Sequence, residues 1–142
     1  MNREQLVGMF IERQAHWRER NADALAAAHH LHGVVVSPIF GTVIGRPAIA
    51  QSYRELFTVF EDWSLDGGEL VLDADGDRAA QLFVVQATHI RDLFGVPATG
   101  RRFEIHGVLF FTFEEGLILR EQRLYDFTGM LIQLGVIKAR TT

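Results

Sequence analysis

The sequence predicts an α+β fold, with a layer of helices first and an antiparallel sheet after it. Three observations predict it. Apolar residues recur at helical spacing up to about residue 62, and strand-like alternation takes over from Trp63 onward. Two turn signals, Asp75-Gly76-Asp77 and Glu114-Glu115-Gly116, then divide that second part into hairpins. Helices followed by a run of strands are the signature of segregated α and β layers.

The elements follow in order. Residues 3–20 place Leu6, Phe10, Arg13/Gln14 and Trp17 on one helical face, with charges elsewhere. Asn21 breaks and caps, and Asp23 opens a short alanine-rich helix through Leu31. Gly33–Ser37 is a short strand stopped by Pro38, and Gly41 and Gly45 bracket a turn or short hairpin. Arg46-Pro47 starts a third helix, with proline at an early position where its missing N–H is harmless. That helix runs to about Asp62, with Ile49, Tyr53, Leu56, Phe57 and Phe60 on its apolar side. Strands are expected at Leu65–Ala74, Ala79–Ile90, Phe103–Phe113 and Leu117–Phe127, with a Gly/Pro loop at 91–102. An apolar segment bounded by Gly129 and Gly135 follows the last strand.

Composition bounds the function. At 142 residues the chain forms one domain, 1–142. A net charge of −4 supplies no footprint for nucleic acid or an anionic membrane. The absence of cysteine removes disulfides and thiolate metal sites. The N-terminus lacks the layout of a signal peptide, and no apolar stretch approaches a membrane span, so a cytoplasmic location is expected. Both faces of Phe103–Phe113 are largely apolar. The helices can cover one side only, so a homodimer through the other is expected, tested by Phe111→Glu.

Asp126 is the foremost candidate for chemistry. Set between Tyr125 and Phe127 at the mouth of an apolar segment, it would lose hydration, which poises a carboxyl for proton transfer near neutral pH. The alternative is that it caps the following short helix. The two readings give opposite signs for Asp126→Asn at pH 7, a gain of stability for a desolvated acid and a small loss for a cap. Parity along the last strand puts Gln122 on the face of Asp126, opposite Glu121, Arg123 and Tyr125; Gln122 either donates to a substrate oxygen or is satisfied by the backbone. His89 either stands at a cavity rim and polarises a carbonyl or lies on the surface. His106 belongs either to a cavity or to the dimer face. The cluster His29-His30-x-His32 has poor spacing for a metal, and no metal site is assigned. Trp17, Phe40, Tyr53, Phe57, Phe60, Trp63 and Phe94, with Met130, offer more aromatic and soft apolar surface than a small core needs; a subset suits an apolar small-molecule pocket. There is no phosphate loop, nucleophile elbow or dinucleotide fingerprint.

Phe94-Gly95-Val96-Pro97-Ala98-Thr99-Gly100-Arg101-Arg102, then Gly107-Val108, Phe113-Glu114-Glu115-Gly116-Leu117-Ile118, Tyr125-Asp126 and Leu134-Gly135 occur in that order. This series resembles the SnoaL-like polyketide cyclases and ester cyclases of the nuclear transport factor 2-like superfamily, densely from Thr88 to Val136 and more thinly back to about Phe10. The resemblance implies a cone-shaped, cystatin-like barrel of helices on a strongly curved antiparallel sheet, and a sheet-to-sheet dimer. It also implies a small, apolar, carbonyl-containing substrate with no cofactor. In the cyclases the aspartate matching Asp126 is the general acid/base of a ring closure, and His89 matches a histidine of the ester-cyclase branch. Ala87 and Arg91 replace glycines usual there, His32-Gly33 replaces an acidic residue, and Ser37 replaces a histidine. A non-catalytic binding domain, or an isomerase or epoxide hydrolase on the same fold, are the alternatives. The hydrolase needs an Asp-Arg-Asp arrangement, and Arg101 and Arg102 fall in a loop.

Overall fold

A computed structural model describes residues 1–138. Its elements are α1 (Arg3–Glu19), α2 (Ala22–Ala27), β1 (His29–Ser37), β2 (Gly41–Ile44), α3 (Arg46–Val59), β3 (Ser64–Leu72), β4 (Arg78–Thr88), β5 (Arg102–Glu114), β6 (Leu117–Tyr125) and α4 (Phe127–Gln133). Each helix starts where the side chains predict. Asn2 and Gln5 form a reciprocal capping box on α1, Asn21 accepts from the Ala24 amide at the start of α2, and Pro47 sits in the first turn of α3.

The six strands form one sheet in the order β2-β1-β6-β5-β4-β3. The expected all-antiparallel sheet is corrected at one seam, because β1 runs parallel to β6. Neighbours so far apart in sequence need no hairpin, and here the whole meander separates them. A second correction concerns the histidine cluster. The short helix ends at Ala27, not Leu31, and His29–His32 open β1, where alternation sends His29 inward while the His30 and His32 rings pack 5.8 Å apart.

The core lies between the helices and the inner sheet face. Phe103, Ile105, Leu109, Phe111 and Phe113 of β5 all point into it, against Phe10 of α1 and Phe60 at the end of α3. Phe111 is fully buried, so it is a core residue and not the dimer contact expected from the sequence; the outer face of β5 carries Phe110 instead. Arg20 joins the helices from below. Its guanidinium donates to the carbonyls of Phe57 (2.6 Å) and Phe60 (2.8 Å), which end α3.

The β6 strand contains the irregularity that sets the site. Phe113 pairs with Ile118 and Thr112 with Arg120, so Leu119 is an extra residue. Such a bulge reverses the facing of everything beyond it. Ile118 is buried, and after the bulge the buried residues are Glu121 and Arg123.

Candidate functional site: a walled cavity over a buried ion cluster

Two guanidiniums, a carboxylate, an imidazole and a phenol meet under the helices. Glu121 is fully buried; its Oε2 accepts from Arg123 Nε at 2.5 Å and its Oε1 from Arg13 Nη2 at 3.4 Å. The Tyr53 hydroxyl lies 3.0 Å from His29 Nε2 and accepts from Arg13 Nη2 at 3.3 Å. His29 Nε2 is also 3.7 Å from Glu121 Oε1. Arg123 stacks over the Tyr53 ring at 5.2 Å and Arg13 over Phe111 at 5.6 Å, so apolar surface covers both cations.

Charge states follow from this packing. Burial pushes the Glu121 carboxyl up, but Arg123, Arg13 and His29 more than offset that and hold it at about 2. Burial, with three nearby arginines adding to it against the pull of Glu121, brings His29 down to about 3, so its ring is neutral at pH 7.

Arg123 also walls a cavity. The other walls are Trp17, Ser37, Ile39, Phe40, Leu56, Trp63, Leu65, Phe83, Ile105, Leu109 and Tyr125. The space between these walls is about 370 Å³, mouth included, of which about 20 Å³ is open to the centre of a water molecule. In this state it admits a water or so, and a larger guest enters only if a wall shifts. Phe40, in the turn after β1, is half-buried and meets Phe94 edge to face at 5.4 Å. Tyr125 supplies a neutral hydroxyl, since burial raises its pKa to about 12 despite the nearby Arg123.

Of the residues expected to form the site, Trp17, Phe40 and Trp63 wall this cavity. Tyr53 belongs to the ion cluster. Phe57 is half-buried against Trp17 at 5.9 Å, Phe60 and Met130 are core, and Phe94 is 60% exposed beside Phe40. Gln122 and His106 lie on the outer sheet face, the latter paired with Glu104 at 3.2 Å. The bulge at Leu119 is the reason: simple parity aimed Gln122 inward. His89 is neither at the rim nor on the surface. It is fully buried, and its Nδ1 accepts from the Thr99 amide at 3.3 Å, tying the 91–102 loop to the end of β4.

Asp126 stands outside the cavity, exposed, as the cap of α4; its Oδ1 accepts from the Gly129 amide at 2.8 Å. A Cβ on Gly129 would meet Asp126 Oδ2 at 2.4 Å, so the glycine leaves room for the capping carboxylate. Asp126→Ala is therefore expected to lose about 1 kcal/mol in urea unfolding at neutral pH, and Asp126→Asn, which caps as well, less than that.

Sequence reasoning missed Arg13, His29, Glu121 and Arg123 as a group. A signal existed for one: Arg13 sits on the apolar face of α1. Among the described residues, no group of three or more histidine, cysteine or acidic side chains is placed to hold a metal ion, and no helix is long and apolar enough to cross a membrane.

No curated protein matches the sequence significantly. Among solved structures, TsrD from Streptomyces laurentii is similar over 96% of this chain and 99% of its own, at 24% identity and a TM-score of 0.83. A candidate polyketide cyclase from Xanthomonas campestris pv. campestris covers 94% and 99%, at 19% identity and a TM-score of 0.82. TerC, co-crystallised with polyporic acid, covers 92% and 98%, at 18% identity and a TM-score of 0.75. At these identities the likeness establishes the fold, the α+β arrangement of nuclear transport factor 2-like proteins. The model of the SnoaL-like domain matches residues 10–121, which span the ion cluster up to Glu121 and most of the cavity walls, and the chain belongs to that family.

Proposed function

We propose that the protein binds a small, mostly apolar molecule carrying a carbonyl or related oxygen in the cavity between the helices and the sheet. The carrying observation is the composition of the walls: aliphatic and aromatic groups, with a few side-chain polar groups from Arg123, Tyr125, Ser37 and the indole N–H groups of Trp17 and Trp63, that of Trp63 buried without a partner among the described residues. An apolar enclosure with a few convergent polar groups is the usual form of a small-molecule site. Binding is favoured over acid–base catalysis by Asp126, because that carboxylate caps α4 outside the walls. The inward carboxylate, Glu121, is already paired with two arginines. The cyclase-like alternative has its own test. Asp126→Asn should leave ligand binding unchanged, and a 10²–10⁴-fold loss of turnover on a cyclisable ketone would restore Asp126 as the general acid/base.

Binding is tested by screening small ketones and lactones for thermal stabilisation, together with fluorescence of Trp17 and Trp63, the chain's two tryptophans. A ligand at 100 times its Kd adds about 2.7 kcal/mol of stability. Phe40→Ala, which removes a wall at the half-buried turn, should broaden the set of ligands accepted. Failure of every compound to stabilise either protein would sink the binding reading.

The chain is further proposed to pair with a second copy through its outer sheet face. Val71, Leu82, Phe110 and Leu124 are each about half exposed there, and Leu82, Val108 and Leu124 align across three strands. Scattered apolar residues need no partner, but an aligned apolar patch does. The expected mass at micromolar concentration is that of two chains, and Phe110→Glu should halve it; a wild-type monomer would overturn the pairing.

A further inference from the structure

We propose that Arg123 receives an anionic oxygen, so that the cavity takes a small, largely apolar carboxylate or enolate in preference to its neutral counterpart. This rests on the binding reading above and specifies the ligand class. Three observations carry it. The cluster holds two guanidiniums, Arg13 and Arg123, against one carboxylate, Glu121, and is therefore positive in the protein interior. Protonation of His29 would only add to that charge, so the sign does not depend on its state. Second, Arg123 Nη2 is buried with no hydrogen-bond acceptor among the described residues. A guanidinium carries five N–H donors in a rigid fork, and a buried donor left without an acceptor is costly. Third, the residue bearing that unmatched donor is a wall of the cavity and is itself 9% exposed.

Glu121 fixes the guanidinium through Nε, while Nη2 stays without an acceptor among the described residues. The Tyr125 hydroxyl, from the same face of β6, is a second neutral donor at the cavity wall. A planar oxyanion would meet the Arg123 fork with its charge while its ring lies among Trp17, Trp63 and Leu109. That arrangement neutralises the cluster and satisfies the orphaned donor in one step.

The experiment compares ligands of one size by tryptophan fluorescence and thermal shift. Benzoate is paired with toluene, and dimedone, ionised as its enolate at neutral pH, with cyclohexanone. The expected result is that at least one anion binds ten-fold or more tightly than its neutral partner, and that Arg123→Gln abolishes this preference while toluene binding persists. Benzoate preferred alone assigns the carboxylate; dimedone preferred alone assigns the enolate. Equal binding of anions and neutral compounds to the wild type overturns the proposal while leaving the cavity reading intact, and it does so without any variant. Binding of neither kind overturns both. Should Arg123→Gln not fold, Arg123→Lys serves instead: it keeps the charge and loses the fork, so an unaltered anion affinity in that variant also counts against the guanidinium as receptor.

Discussion

Glu121→Gln is expected to destabilise the protein by about 3–5 kcal/mol, the cost of removing one partner from a buried ion pair. Glu121 is fully buried, and its two carboxylate oxygens are held by Arg123 and Arg13. The neutral amide leaves both guanidiniums without a counter-charge, in an interior where each is covered by an aromatic ring and almost wholly removed from water. Against a total stability of about 5–15 kcal/mol for a domain, that is a large fraction. The control is the triple substitution Glu121→Leu, Arg13→Met and Arg123→Met, which removes every charge together. Replacing a whole buried ion group by apolar side chains is often neutral, so the triple variant should be more stable than the single one. Urea midpoints decide both points. A loss under 1 kcal/mol for Glu121→Gln would mean that the two arginines are not held by it.

The second large effect is acid lability through His29. Its ring is fully buried and its pKa is depressed to about 3, below the model-peptide value near 6.5. Below pH 6.5 the unfolded chain takes up a proton that the folded chain refuses until about pH 3. The native state is therefore fully favoured by this group above pH 6.5 and loses that stability as pH falls toward 3, by roughly 1.4 kcal/mol per pH unit. Glu121, held at about 2, adds a loss of the same sign from its ordinary value of 4.5 downward. His29→Gln keeps a hydrogen-bonding partner for the Tyr53 hydroxyl and cannot titrate. The wild type and this variant should therefore converge as pH drops from 6.5 to 4.5, the wild type having the steeper fall. Parallel stability profiles over that range would show that His29 is not excluded from protonation.

Local rules made most of the fold legible. The Asn21 cap, the Pro47 start, and the Asp75-Gly76 and Glu115-Gly116 turns are short-range devices whose physics lies within a few residues. The elements they bound appear close to where the pattern puts them. The SnoaL-like motifs from Phe94 to Ile118, which lie inside the matched residues 10–121, carried the family, and the alternation in β5 correctly separated its two sets of residues, though not which set faced the helices.

Tertiary structure decided the rest. Arg13 reaches Leu25, Tyr53 and Glu121 across 12, 40 and 108 residues of sequence, so no local window contains the cluster. The β1–β6 parallel seam, which brings His29 beside Glu121, depends on strands at opposite ends of the chain. The decisive case is β6. A strict two-residue period from Ile118 puts Gln122 inside with Leu124 and Asp126, and an extra residue at Leu119 reverses that, turning Glu121, Arg123 and Tyr125 inward and leaving Asp126 to cap α4. A bulge is set by how two strands pair, not by the residues of one. The sequence by itself therefore determined the fold and its family, while the pairing of β5 with β6 decided which face of the last strand became the site.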